Sequence, residues 1–353
     1  LLDGYGGDDV LVGGPGADVF RIERGNGSDV IVGFAPGTDK LRLAGVALTS
    51  FAQVTAAARQ VGRDTVIAIG GGETVTLRDV ALPALSAGDV QLPIDLSAMT
   101  PTFRDEFDAF VTRDRGGPWL TDYGLGKPAY DHGLPGEAEV YVDRRYTGSG
   151  TRALGIDPFA IEPGGVLAIT AAPVTAAARP WLGAAAYTSG VISTNHRFAQ
   201  TYGYFEVRAA LPAGQGFFPA FWLLPQSGAW PPEIDIVEAL GQEPGVVHMT
   251  AHDQVDGRHV SAEAVTYLDD PAAMHRYGLN WTRAALAWYV DGVEVARQPT
   301  PASLRQPCYI NLNLAVGGSW AGPPDATTGT GTMRIDYVRV YANADTVMAP
   351  RRP

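Results

Sequence analysis

The chain is short of the residues that several protein classes depend on. Its 353 residues include one cysteine, Cys308, so no internal disulfide can form, and stability in an oxidising space must come from packing or bound ions. No apolar run approaches the roughly 18 residues needed to cross a bilayer, and membrane insertion is not expected. Basic residues are scarce, 26 against 38 acidic ones for a net charge of -12, and none of the basic runs exceeds a pair such as Arg351-Arg352. Phosphate recognition needs a concentrated basic surface, so nucleic acid is excluded as a partner. A secretory leader is also missing: the chain opens at Leu1-Leu2-Asp3-Gly4 inside a repeat, and the expectation is a piece of a longer polypeptide.

What is abundant points to strands. There are 43 glycines, 26 prolines and 33 aromatics, which favour short strands and tight turns, so the expected class is all-β. The length calls for two domains, read as residues 1–95 and 100–343 on either side of the linker Pro93-Ile94-Asp95-Leu96-Ser97.

The first module repeats itself. Gly4-Tyr5-Gly6-Gly7-Asp8-Asp9-Val10-Leu11-Val12 returns nine positions later as Gly13-Gly14-Pro15-Gly16-Ala17-Asp18-Val19-Phe20-Arg21. Glycines permit the tight turn, aspartates can bind calcium between stacked turns, and Leu11 and Phe20 point into a thin core. Asn26-Gly27-Ser28-Asp29-Val30-Ile31 and Gly37-Thr38-Asp39-Lys40-Leu41 continue as half-repeats. The pattern resembles the calcium-binding repeats of RTX proteins. That resemblance implies a parallel β-roll, structural Ca²⁺ on Asp9, Asp18, Asp29 and Asp39, and export from the cell by type I secretion. The alternative for these aspartates is ordinary Asx-turn formation. Residues from Ser50 to Pro83, opening on an alanine-rich amphipathic segment, read as a cap on the repeats.

In the second module, Tyr204-Phe205-Glu206-Val207-Arg208-Ala209 alternates as a half-buried strand does. Leu286 to Val290 and Val293 to Ala296 flank Asp291-Gly292, a two-residue hairpin signal. Tyr309-Ile310-Asn311-Leu312-Asn313-Leu314 puts its asparagines on one face, suited to a polar cleft. In Trp230-Pro231-Pro232-Glu233-Ile234-Asp235-Ile236-Val237-Glu238, regular alternation would turn Glu238 into the core, which is costly for an unpaired carboxylate. A β-bulge near Ile236-Val237 restores it to the face of Glu233 and Asp235. Three acids grouped among aliphatics repel one another, so an exposed acidic strand is the weaker reading and chemistry the better one. Carboxylates so spaced lie about 13 Å apart at the backbone, a gap that curvature and side-chain reach must close.

These motifs, with Phe218-Pro219-Ala220-Phe221-Trp222-Leu223-Leu224-Pro225, Thr250-Ala251-His252, Asn313-Leu314-Ala315-Val316-Gly317-Gly318 and Ile335-Asp336-Tyr337-Val338-Arg339-Val340-Tyr341, resemble glycoside hydrolase family 16. Within it the text is most similar to bacterial exopolysaccharide depolymerases of the succinoglycan type, in which RTX repeats commonly follow the catalytic domain and here precede it. The resemblance implies a concanavalin-like β-jelly-roll sandwich, with Glu233 as nucleophile, Glu238 as acid/base, Asp235 assisting and His252 in support. It implies a structural Ca²⁺ at Glu106 and Asp336, for which the alternative is two unrelated surface acids, with no organic cofactor. Trp222 and Trp230 are candidate platforms for sugar rings, Asn313 and Asn195 candidate hydroxyl-binding groups, and His248 a structural residue.

The expected protein is a secreted, extracellular, monomeric, retaining endo-β-glycosidase acting on a polysaccharide. A laminarin-type β-1,3-glucanase, a lectin-like sugar-binding module and an RTX adhesin are the alternatives, with linkage choice resting on loops at residues 116–136 and 253–272.

Overall fold

A computed structural model describes residues 1–123 and 136–348; the Arg351-Arg352 pair and most of the 116–136 loop lie outside them. The fold is all-β, with α-helices among the described residues only at Phe51–Ala57 and Gly318–Ala321. It forms two compact units, one of Leu1–Ala98 with Tyr289–Arg297, the other of Met99–Trp288 with the residues from Gln298 on. The boundary thus differs from a single cut between residues 95 and 100, because the Asp291-Gly292 turn groups with the first unit. That turn has both residues at positive φ, 51° and 80°, as a two-residue hairpin requires.

In the first unit the first five strands alternate between two sheets whose pairings there are parallel. Leu2–Asp3, Val19–Glu23, Lys40–Ala44 and Val90–Gln91 pair in one. Val10–Val12, Asp29–Val32 and Glu73–Leu77 pair in the other, which Asp64–Gly70 and Ala58–Val61 extend in antiparallel fashion. Alternation along Val19–Glu23 buries Phe20 and Ile22, which join Ile31, Leu41, Leu43, Val75 and Leu77 in the core. The stacked turns need glycine: at Gly27, φ +122°, a Cβ would lie 2.2 Å from the Gly7 carbonyl oxygen. The alanine-rich segment is the helix Phe51–Ala57, started by a Ser50–Gln53 capping box and buried through Val54.

The second unit packs two largely antiparallel sheets. One has Val166–Pro173, Gly331–Ala342, Gly203–Ala210 and His275–Trp281 side by side. The other, which carries the acids, runs Arg258–Tyr267, Val246–Val255, Glu233–Glu238, Phe217–Pro225, Cys308–Val316. Phe205, Val207, Phe221, Leu223, Ile234, Ile310, Leu312 and Val338 are fully buried in this unit.

Candidate active site

The acid strand is bulged where its sequence demands it. Asp235 pairs with Thr250 and Glu238 with His248, so three steps on this strand oppose two on its neighbour. On the other side Trp222 opposes Asp235 and Phe221 opposes Val237. Ile236 is the extra residue. Ile236 and Val237 are both buried, at 1% and 0% exposure, and Glu233, Asp235 and Glu238 share the opposite face.

Burial and mutual repulsion then set the protons. Burial pushes the Asp235 carboxyl well above the usual carboxylate range, and the charge of Glu233 and a hydrogen bond donated to Glu233 add to this. Glu238 is likewise held well up, by burial first and then by the charges of Asp235, Glu233 and Glu263. Burial also raises Glu233, but the Trp230 Nε1–H donated to its Oε2, the charge that His252 carries when protonated and the Asp235 hydrogen bond all oppose the rise. Glu233 is therefore the first of the three to ionise, with protons kept on Asp235 and Glu238. Burial lowers His252, with Glu233 pulling the other way, so its imidazole is neutral at pH 7. Its Nε2 lies 3.0 Å from Asp235 Oδ2.

The aromatic and amide candidates separate. Trp230 is 59% exposed beside Glu233, where a sugar face can reach it. Trp222 is half-buried, and its Nε1 donates to Asn313 Oδ1 at 2.7 Å. Asn313 Nδ2 in turn donates to the Tyr141 hydroxyl at 3.0 Å. Asn313 is 5% exposed, and through these two bonds it holds Trp222 and Tyr141 in place. Asn195, equally buried, donates to the Tyr123 carbonyl at 3.1 Å and anchors that segment. Tyr123 packs edge-on to both Trp222 and Tyr141.

Two site residues escaped the sequence reading. Trp320, on the helix Gly318–Ala321, is 42% exposed and packs edge-on to His248, with ring centroids 4.8 Å apart. It follows the Gly317-Gly318 motif by two positions, which was the available signal. His259 stands 2.8 Å from His252 and 5.0 Å, ring to ring, from Trp230. Residues 253–272, expected as a loop, are mostly a hairpin: Val246–Val255 turns at Asp256 and Gly257, both at positive φ, into Arg258–Tyr267. Val255-Asp256-Gly257-Arg258 carried that signal in the sequence. His248 Nδ1 lies 2.6 Å from Glu263 Oε1, and its buried Nε2 has no hydrogen-bond partner.

The metal candidates also divide. Arg339 takes both Glu106 oxygens, at 2.9 and 2.7 Å, and Arg208 takes Asp336 Oδ2 at 2.7 Å. Guanidinium groups thus supply the positive charge expected there from calcium, and the pair does not fit a cation. Asp39 accepts from the Asp18 amide and Asp29 from the Asp9 amide, bonds that tie one coil of the first unit to the next, and Asp39 also closes its own turn on the Ala35 amide. Asp18 closes a local turn on the Gly14 amide. Asp9 alone of the four leaves a buried oxygen, Oδ2, without a hydrogen-bond partner, and among the described residues no three metal-ligating side chains gather into a cation site.

A carboxylate beside carboxyls that keep their protons, with an exposed aromatic ring at hand, is the equipment of an enzyme that cleaves glycosidic bonds. Residues 166–339 match the sequence profile of glycosyl hydrolases family 16. The chain is 38% identical over 326 residues to the endo-1,3-1,4-β-glycanase EglC of Rhizobium meliloti (strain 1021), covering 92% of this chain and 69% of that protein. It is 38% identical over 319 residues to ExsH, an endo-1,3-1,4-β-glycanase of the same organism, covering 90% and 67%. Among solved structures it is similar to the laminarinase catalytic domain of Thermotoga maritima MSB8, with a TM-score of 0.57 and 29% identity over 70% of this chain and 99% of that one. The chain belongs to glycosyl hydrolase family 16 and is a glycoside hydrolase.

Proposed function

We propose that the protein is a secreted, retaining endo-β-glycanase that cuts internal β-linkages of a bacterial exopolysaccharide. The observation that carries this is the bulge at Ile236, which puts three carboxyls on one face with the proton-poor one at Glu233. Glu233 attacks the anomeric carbon while Glu238 gives its proton to the departing glycosidic oxygen. Esterification removes the Glu233 charge, one of the influences holding the Glu238 proton. Glu238 then serves as base for the water that releases the sugar with its configuration retained. Trp230 and Trp320 bind sugar faces near the acids, and remote binding energy of this kind favours the distorted transition state.

The names of EglC and ExsH support action on β-1,3/1,4-linked glycans, and both alignments extend over more of the chain than the second unit holds. A second reading, a laminarin-type β-1,3-glucanase, is favoured by the likeness to the Thermotoga maritima laminarinase. The alternation of the first five strands between two sheets, paired there in parallel, supports an RTX-type, calcium-binding first unit and hence work outside the cell.

The test is incubation with mixed-linkage β-glucan, laminarin and acidic exopolysaccharides. Viscosity should fall well before reducing ends accumulate, with the exopolysaccharide preferred. Monosaccharide released from the first minutes would remove the endo assignment, preference for laminarin would select the second reading, and binding without cleavage would mean a lectin. Retention is tested in Glu238→Ala with azide, which should yield a β-glycosyl azide; an α product indicates inversion.

A further inference from the structure

A line of donors converges on Glu233 from the edge of the sheet. His259, on Arg258–Tyr267, lies with its Nε2 2.8 Å from His252 Nδ1, the two rings stacked at 5.0 Å and 27°. On its other side His252 Nε2 is 3.0 Å from Asp235 Oδ2. This buried oxygen has no formed hydrogen bond, and His252 is a donor within reach. Such bonds commonly tighten only when substrate arrives.

A neutral imidazole has one N–H and one lone pair. Asp235 gives its proton to Glu233, which leaves Oδ2 as an acceptor that only the Nε2–H form of His252 can serve. In that form Nδ1 is a lone pair and needs a donor. We propose that His259 is a positioning residue: its Nε2–H, given to His252 Nδ1, holds His252 in the Nε2–H tautomer, so that His259, His252 and Asp235 all donate toward Glu233. Trp230, packed 5.0 Å from His259, sends its own N–H to the same carboxylate, so one histidine backs both lines. The titratable groups facing this pair are Glu233 and Asp235 of the acid strand. A protonated His259 still donates, whereas a protonated His252 would set two N–H groups against each other, in line with the downward shift that burial gives His252.

The inference rests on Glu233 as nucleophile, and its first readout needs no substrate. Nitrogen-15 spectra of histidine-labelled full-length protein should show His252 protonated at Nε2, and His259→Ala should mix the tautomers. In kinetics, His259→Gln, which keeps a donor, should stay within about twofold of wild type in kcat. His259→Ala, lacking one neutral hydrogen bond, should lose about 5- to 10-fold at little change in KM. His259→Glu, an acceptor that demands a proton on Nδ1, should lose at least as much as Ala. A wild-type His252 protonated at Nδ1, an unaltered tautomer in His259→Ala, or a Gln variant as impaired as Ala at unchanged melting temperature would each overturn the proposal. Wild-type protein inactive on every glycan but with the expected tautomers would count against the function and leave the role of His259 standing.

Discussion

Replacing Trp230 by phenylalanine separates the two things this residue does. The ring that a sugar would meet is kept, while the N–H that Glu233 Oε2 accepts is lost. A hydrogen bond to a charged group contributes about 1.5–3 kcal/mol, and because Trp230 is 59% exposed the lower end applies. About 1.5 kcal/mol corresponds to roughly tenfold in rate. The sign follows from the ionised form being the one stabilised. Burial already pushes Glu233 upward, and losing a donor to its carboxylate pushes it further, so protonated, inactive enzyme persists to higher pH. In Trp230→Phe, kcat/KM on a soluble mixed-linkage β-glucan should therefore fall about tenfold on the acid limb and change little on the plateau. Glu233 shares a proton with Asp235, so that limb reports the pair. Trp230→Ala should lower the plateau as well, because the platform goes too. An acid limb in Trp230→Phe that stays put or moves to lower pH, or an equal loss at every pH, would refute the reasoning.

Glu233→Gln and Glu238→Gln should each lower kcat by several orders of magnitude with melting temperature nearly kept, since charge changes without volume; near wild-type turnover in either removes the pair. Asn313→Ala should leave the Trp222 N–H and the Tyr141 hydroxyl without their shared partner, at about 2 kcal/mol, lowering the melting temperature by about 4–8 °C. A raised KM at unchanged melting temperature would instead support the sugar-binding role for Asn313.

Local alternation carried much of the site, and long-range pairing hid the rest. The bulge was legible because alternation places Glu238 in the core, which electrostatics forbids, and one extra residue is the least correction. Alternation also put Asn313 on the correct face but could not say what stands beside it: Tyr141 lies 172 positions away in the chain. The arginines that take Glu106 and Asp336 were hidden for the same reason, being 233 and 128 positions distant. His259 was missed although Asp256-Gly257 marks its hairpin, because its place against His252 follows only when both strands are set in register. In the first unit the nine-residue repeat located the turns. That the Asp29 and Asp39 carboxylates receive amides from the coil before, 20 and 21 positions away, is a property of stacking that a single repeat does not display.

The first unit gives the last prediction, because its own charges disagree. Burial raises Asp29, and the nearby Asp9, Asp8 and Asp3 push it the same way, while the Asp9 amide alone resists. Asp9 itself keeps a buried oxygen without a partner. A folded-state pKa held above its unfolded value contributes stability that is present at low pH and is lost as pH rises through the raised value. In chelator the unit should thus be steadiest below the ordinary aspartate range and weaken as pH rises through the raised Asp29 value. Calcium binds ionised carboxylates, so its stabilisation grows in the opposite direction, and the holo unit should hold at neutral pH. Hydrogen exchange of the full chain can read residues 1–95 separately from 100–343. With calcium, protection in the first segment should rise as pH is raised through the carboxylate range; with chelator it should fall, and the second segment should respond to neither. Identical profiles in calcium and chelator, with no calcium retained by the protein, would leave these aspartates as turn formers only.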